Sequence, residues 1–385
     1  MIELKKNKLG DLGFFFGGVT TIGKEDYGHG TPFLPYKNVY KNSKVNVNEL
    51  ELMNIRQQDI EKRSAVYGDI FFTASSETPD EVAMSSVLLD NVENLTYNGF
   101  CKRFRLNDFN TLLPEYARYL FRDVNFRREV YQVATGDIRF NISQESLANI
   151  EIEIPDVAIQ KEIAEILMTL DDKIELNLQM NQTLEAMAQA IFKEWFVDFK
   201  FPNFDGVLLD GLPKGWRMGN LGDIILFKNG KSSPERNENG RFPVYGANGI
   251  IGFADVSNAD KNITVVGRVG SFCGSTYFEQ KKSWVTDNAI ITKSKVESTT
   301  FIFLILKSLQ LNNFRAGSGQ PLLNQSILSG ITTIIPNKEF YLEFEKNVLP
   351  IFEKIEMNNQ HIIYLTQTRD ALLPKLMSGK LEVKN

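Results

Sequence analysis

The stretch from Pro155 to Phe199 constrains the chain more than any other, because a second copy of it closes the sequence. Apolar residues recur every three or four positions, at Ile159, Ile163, Ile166, Leu170, Ile174, Leu184, Ala188, Ile191 and Trp195. That spacing predicts a long helix whose stripe buries against another helix. A shift of 181 residues lays the stretch on itself without a gap: Lys173-Ile174-Glu175 falls on Lys354-Ile355-Glu356, Asn177 on Asn358, Gln179 on Gln360, and Ile191-Phe192 on Leu372-Leu373. What precedes each helix repeats as well, with Pro155 on Pro336, Leu147 on Leu328, Gln144 on Gln325, Ile142 on Leu323 and Gly136 on Gly317. Leu9-Gly10-Asp11 matches Leu221-Gly222-Asp223 at a shift of 212, so the second globular part has the same plan with 31 fewer residues (212 against 181). One repeat of this size is a duplicated domain, since solenoids need three or more short repeats. The expected division is a first globular domain over 1–155, a helix over 156–200, a second domain over 201–336, and a second helix with a tail over 337–385.

At 385 residues the chain can build two domains with their own cores plus connecting helices. No run of 18 apolar residues occurs, and the opening MIELKKNKLGDLG has no apolar signal-peptide core, which predicts a cytoplasmic protein. Only Cys101 and Cys273, and only His29 and His361, are present. Neither a disulfide framework nor a zinc site with CxxC or HxxxH spacing is expected, and no metal or cofactor of the chain's own. The net charge of −5 argues against a generic polyanion binder. By segment, residues 156–202 carry 4 Lys+Arg against 9 Asp+Glu, and residues 203–336 carry 14 against 10. An acidic helix faces protein or solvent sooner than a phosphate backbone, so nucleic-acid contacts must come from local patches in the globular parts.

Residues 114–131 read as one helix opened by Pro114, with Arg118, Arg122 and Asn125 on its polar face, either paired with Glu115 and Asp123 or holding phosphates. Lys102-Arg103-Phe104-Arg105 alternates like a strand, placing Arg103 and Arg105 on one face. The most informative loop is Gly136-Asp137-Ile138-Arg139-Phe140-Asn141-Ile142-Ser143, whose counterpart is Gly317-Ser318-Gly319-Gln320-Pro321-Leu322-Leu323-Asn324. The frame is kept while the polar reach changes from Arg139 to Gln320. In the major groove Arg pairs with guanine and Gln with adenine, each worth about 1–3 kcal/mol of discrimination. Drift in a surface loop accounts for the same pair equally well. Gly246, Gly249 and Gly252 are spaced GxxGxxG without a surrounding βαβ unit, so they are no dinucleotide fingerprint and suit a turn or a close backbone approach.

Two unlike globular halves, each followed by a matching long helix, together with IFKEWFVDF, LPKGW, FPVYGANGIIG, WVTDNA and LLPKLMSGKLEV, resemble the specificity subunit of type I restriction-modification systems over essentially the whole chain. The resemblance implies two target-recognition domains, each reading one half of a split double-stranded DNA sequence. It implies that the helices pair antiparallel as a spacer and dock two methylation subunits. Chemistry would lie with the partners: adenine methylation using S-adenosylmethionine, and cleavage by motor subunits using ATP and Mg. The expected fold is therefore α+β, two pseudo-repeated domains joined by two long helices pairing as an antiparallel coiled coil. A helix of about 40 residues is ~60 Å long, a scale able to hold half-sites about one DNA turn (~34–36 Å) apart. Asn177, Asn181, Asn358 and Asn359 fall in or beside the seam, where a buried Asn can fix register at some cost in stability; a wet exit from the bundle explains them equally well. Pro350 predicts a break and a fresh start in the second helix, and Pro374 a kink or an end.

Two rival classes compete with this reading. As an enzyme in its own right, the chain lacks any Pro-Pro pair for a methyltransferase motif. Its nuclease-like match, Pro155-Asp156 with Asp171-Asp172-Lys173, strings carboxylates along a helix when metal chemistry needs them in one pocket. A coiled-coil scaffold or an inactive spare copy explains the helices but not the parallel frames with unlike tips. The candidate DNA-contacting residues are Tyr36, Asn38, Ser75, Ser76, Arg103, Arg105 and Arg139 in the first domain, with Arg139 and the serines at bases and the rest at phosphates or groove walls. In the second they are Tyr245, Asn248, Arg268, Ser271, Arg315, Gln320 and Asn324, with Arg268 and Gln320 at bases.

Overall fold

The structure, a computed structural model, describes residues 3–20, 22–136, 139–317 and 321–381. It divides into two compact units, Met1–Ile174 with Ile363–Asn385, and Glu175–Ile362. Each unit thus takes one globular domain and half of each long helix, so the division cuts through the helices instead of falling at their ends.

The first unit runs β1 (Lys5–Lys8), α1 (Leu9–Leu12), β2 (Gly13–Gly17), β3 (Tyr27–Leu34), α2 (Tyr36–Lys41), β4 (Glu51–Met53), α3 (Gln57–Arg63), β5 (Ile70–Thr73), β6 (Ser75–Ser76), β7 (Ser85–Val87), β8 (Thr96–Tyr97) and β9 (Cys101–Leu106). Then come α4 (Pro114–Leu120), α5 (Val124–Val133), β10 (Phe140–Asn141), α6 (Gln144–Ala148), β11 (Glu151–Ile154) and the start of α7 (Val157–Phe196). The second unit adds a hairpin, β12 (Leu208–Leu209) with β13 (Leu212–Pro213), then β14 (Arg217–Asn220), α8 (Leu221–Ile224), β15 (Ile225–Asn229), β16 (Phe242–Gly246) and β17 (Gly249–Ala254). It continues with β18 (Ile263–Gly267), β19 (Thr276–Glu279), β20 (Trp284–Val285), β21 (Ala289–Ser294), α9 (Thr299–Ser308), α10 (Gln325–Ser329), β22 (Thr332–Ile335) and α11 (Lys338–Met377).

The repeat seen in the helices extends through every larger sheet. The four-stranded sheet β2-β9-β5-β7 corresponds to β15-β21-β18-β19, and β4-β3-β8 to β17-β16-β20. Likewise β1-β11 corresponds to β14-β22. Strand senses agree too: β3 is antiparallel to β4 and parallel to β8, as β16 is to β17 and β20. Helices α2, α3 and α5 belong to the first unit alone, which accounts for its extra length. Because side chains alternate along a strand, β5 sends Ile70 and Phe72 into one apolar cluster and Phe71 into another. Its counterpart β18 splits Val266 from Val265 in the same way.

Both long helices bury their stripes as the periodicity requires. In the first unit Ile163, Ala164 and Leu167 of α7 share a core with Leu376 and Met377 of α11, and Asp171 meets Arg369 at 2.8 Å. In the second unit Asn181 bonds Asn359 at 2.8 Å, while further along α7 Trp195 packs on Phe344 of α11 with ring centroids 5.7 Å apart. Later positions on α7 meet earlier ones on α11, so the two helices pair antiparallel. The architecture is α+β, with two repeated domains on a helical pair.

Three expectations are corrected. Helix α11 runs unbroken from Lys338 to Met377. Pro350 and Pro374 are both exposed, so the carbonyl that each leaves without an N–H partner can bond water, and the seam on the opposite face holds the helix. Residues 114–131 form two helices, because the Asp123 side chain accepts the Asn125 N–H and caps a fresh start at α5. Arg118 and Arg122 do not line a polar face. Arg118 is buried against Asp171 at 2.6 Å, and Arg122 donates to the carbonyls of Ser85, Val39, Tyr40 and Asn42. Burial pulls the Arg122 guanidinium down to about 10.

Candidate nucleic-acid interface

Four of the seven residues singled out in the first domain converge on one cleft. Tyr36, Ser75, Ser76 and Arg139 line a depression of about 410 Å³, together with Tyr40, Glu77, Glu81 and Phe100. Tyr36 stands at the start of α2 and donates its hydroxyl to the Ser75 carbonyl at 2.7 Å. The Tyr40 hydroxyl donates to Glu81 at 2.7 Å and the Ser76 hydroxyl to the other Glu81 oxygen at 3.2 Å. The Tyr40 hydrogen bond, with those from Thr78 and Ser76, holds the Glu81 carboxyl below the usual carboxylate range. The Ser75 hydroxyl is buried and has no partner. Arg139 is exposed, with its guanidinium 5.7 Å from the centroid of the Phe100 ring. An exposed cation on an aromatic platform beside hydroxyls and carboxylates can meet the hydrogen-bonding edge of a flat polar ligand.

Of the other three residues, Asn38 and Arg103 are internal and leave the contact set, and Arg105 is half-buried and spent on an ion pair. Asn38 is 1% exposed, its amide bonded to both N–H and carbonyl of Asn46, so it closes the turn after α2. Arg103 is 2% exposed, donates to the carbonyls of Arg63 and Ser64, and lies 4.5 Å from the Phe16 ring centroid. Burial pulls its guanidinium below the usual arginine range. Arg105 forms a bidentate pair with Asp69 at 2.7 and 2.6 Å. Asp69 is 1% exposed. The strand alternation did place Arg103 and Arg105 on one face, but on that face Arg103 is buried and Arg105 is turned onto the buried Asp69. A carboxylate at Asp69 could have signalled this only with the β5–β9 pairing in hand.

In the second domain the hairpin tip Ala247-Asn248 sits beside the end of β18, where a Cβ on Gly267 would stand 2.5 Å from the Ala247 carbonyl oxygen. Asn248 and Ser271 are exposed there, and Arg268 is half-buried. Arg268 donates to the Asp287 carbonyl at 3.3 Å, while its Nε is buried without a partner. Arg315 is exposed on the loop after α9. Tyr245 is internal instead: it is 5% exposed and donates to Glu279 at 2.9 Å, and burial, then Glu279, raise its phenol. Asn324 is spent on structure, its side chain accepting the Ile327 N–H at the start of α10, as Ser143 accepts from Ser146 at α6. Gln320 lies outside the described residues.

The two sites share one backbone frame. The Ala74 N–H donates to the Phe100 carbonyl and Ile142 N–H to the Ala74 carbonyl; at the same places Arg268 N–H donates to Asn288 and Leu323 N–H to Arg268. The bridge Thr135–Asn141 is repeated by Ala316–Leu322, and the Ser75–Asn141 pair by Val269–Leu322. On this common frame the side chains differ: Ala74 against Arg268, Ser75 against Val269, Glu77 against Ser271, Phe100 against Asn288. Sequence reasoning missed Tyr40, Glu77, Glu81 and Phe100. The signal for Phe100 was a large aromatic after Asn98-Gly99, where a turn brings it to the surface.

Residues 1–186 and 213–366 match a family model described as the type I restriction modification DNA specificity domain. The chain belongs to this family. It is 29% identical over 303 residues to the type I restriction enzyme MjaIX specificity subunit of Methanocaldococcus jannaschii, covering 71% of this chain and 70% of that protein. It is 28% identical over 361 residues to the HindI specificity subunit of Haemophilus influenzae, covering 71% and 78%. The crystal structure of the type I restriction-modification S subunit from M. genitalium has the same fold, with a TM-score of 0.66 at 19% identity over 97% of this chain and 96% of that one. A role in recognising DNA sequence follows from the family. Among the described residues no helix is long and apolar enough to cross a membrane.

Proposed function

We propose that this chain reads a two-part double-stranded DNA target, one part with each globular domain, and directs adenine methylation and cleavage by partner subunits. The observation that carries this reading is the shared backbone frame with unlike side chains: one fold used twice, with different hydrogen-bonding groups at the same places. Base contacts specify and phosphate contacts position, so two sites of one frame and different chemistry suit two different half-sites. The paired helices would set the unread gap between the half-sites and offer surface to two methylation subunits. S-adenosylmethionine, ATP and Mg would be bound by the methylation and motor partners. The complex would work in the cytoplasm.

The test is to co-express the chain with a type I methylation subunit that co-purifies with it, in a host free of adenine methylation, and to map modified adenines across the genome. A split motif with a fixed gap is expected. A soluble co-purifying complex that modifies no adenine would favour a scaffold or an inactive copy.

A further inference from the structure

We infer that the cleft of the first domain reads a G·C base pair in the major groove, Arg139 taking the guanine and Glu77 the cytosine. This deepens the two-part reading above and rests on it.

The argument starts from what the cleft offers. The Arg139 guanidinium makes no hydrogen bond or ion pair among the described residues and lies 5.7 Å from the centroid of Phe100, a ring that is 58% exposed. Its planar fork is therefore held but unspent, and it calls for two acceptors in one plane. A phosphate or the N7 and O6 of guanine would serve. The carboxylates decide between them. Glu77 is exposed and makes no hydrogen bond or ion pair among the described residues, and Glu81, held ionised by Tyr40 and Ser76, lines the same cleft. Two negative groups would repel a phosphate, whereas a carboxylate accepts the cytosine N4 amino group. Adenine offers one acceptor beside its amino group, which would leave half the fork empty. Only the G·C pair presents two acceptors on one base and an amino donor on the next. Ser75, a buried residue in the wall of the cleft, has a hydroxyl with no hydrogen-bond partner among the described residues. In the second domain the matching positions are Val269 for Ser75, Ser271 for Glu77 and Asn288 for Phe100, so that site would read something else.

The experiment uses the complex with its methylation subunit, assayed on duplexes in which each base pair of the first half-site is varied in turn. For R139A, discrimination at a single G·C position should fall by between about 5-fold and 150-fold, with the second half-site unaffected. E77A should relax the same position. R139K keeps the charge but not the planar fork; because a lysine can still donate to guanine N7 and O6, it should restore discrimination at that position only in part, and recovery of overall binding with no position-specific effect would place Arg139 on a phosphate and overturn the inference. So would uniform weakening on all duplexes, a relaxed position that is A·T, or unchanged discrimination in both variants with the split motif intact. Absence of a split motif in the unaltered complex would bring down the two-part reading itself and this inference with it. Unfolding midpoints of the variants matching the parent's would separate readout from folding.

Discussion

Replacing Asp171 with alanine should destabilise the first unit by about 3 kcal/mol. The Asp171 carboxylate accepts from Arg118 at 2.6 Å, from the Tyr119 hydroxyl at 2.7 Å and from Arg369 at 2.8 Å, joining the globular domain to both long helices. Its side chain is 11% exposed, that of Arg118 10% and that of Arg369 29%. Removing one partner of a buried ion pair costs roughly 3–5 kcal/mol, because the other charge stays behind uncompensated. Arg369 reaches water and keeps Asp370 at 2.8 Å, so the cost comes mainly from Arg118 and Tyr119 and sits at the lower end. For a unit of about 200 residues, each kcal/mol moves the midpoint by about 2–4 °C, which gives about 6–12 °C. The control is Asp172→Ala: Asp172 is the next carboxylate, exposed on the same helix, and should change stability by less than about 0.5 kcal/mol. Calorimetry of the full chain would compare the two. If Asp171→Ala melted within 0.5 kcal/mol of Asp172→Ala, the reasoning that makes Asp171 a structural anchor would be refuted.

Arg105→Ala should cost about 2–3 kcal/mol by leaving Asp69 buried without its bidentate partner, seen as a lower urea midpoint, and should leave the salt slope of DNA binding unchanged; a flatter slope would return Arg105 to the phosphate backbone. Asn177→Leu should stabilise by about 1–2 kcal/mol, since the Asn177 Nδ2 is buried with no partner and such a group carries that penalty; a lower melting temperature would contradict this. Glu279 is raised above the usual carboxylate range, chiefly by burial. Its contribution to stability is therefore greatest below the unfolded value and is lost as pH rises through the folded one. Glu279→Gln should remove that fall between acid and neutral pH, and an unchanged pH profile of the unfolding midpoint would argue against it. Burial pushes the Cys101 thiol up to about 12, so alkylation at neutral pH should be slow in the folded chain and fast in denaturant.

What the sequence revealed and what it hid divide along a physical line. Apolar spacing is local, so the helices from Val157 and Lys338 and their seam could be read directly. The gapless repeat could also be read, although its extension to every larger sheet needed the strand pairings. The fate of charged residues could not be read, because it depends on which carboxylate or carbonyl the fold brings near. Arg103, Arg105, Arg118 and Arg122 looked like a basic surface, yet Arg103 and Arg118 are buried and Arg105 and Arg122 are half-buried and spent on internal partners, whereas Arg139, in the loop after α5, is exposed. Pro350 misled for a similar reason: the loss of one hydrogen bond need not break a helix where the freed carbonyl can reach water, and Pro350 faces out.

The repeat preserves positions more than chemistry, and the joints between helix and domain show why this is tolerable. At a shift of 181 residues Asp171 corresponds to Phe352 and Arg369 to Ala188. Where the first unit has an ion cluster, the second has Phe352 packed on Phe278 and Phe303 with centroids 5.0 and 5.5 Å away. Capping is exchanged in the same way. In the first unit Gln160 of α7 accepts the Leu113 N–H at 2.9 Å before α4. In the second Glu345 of α11 accepts from Ser298, Thr299 and Thr300 at the start of α9. Glu345 corresponds to Ala164, and Gln160 to Tyr341, so the cap has moved by one turn of helix. Each joint is complementary within itself, and a buried ion cluster can be replaced by well-packed apolar groups at little net cost provided all its members change together. The same independence of frame from side chain that lets the joints differ also leaves the two exposed clefts free to carry different hydrogen-bonding groups.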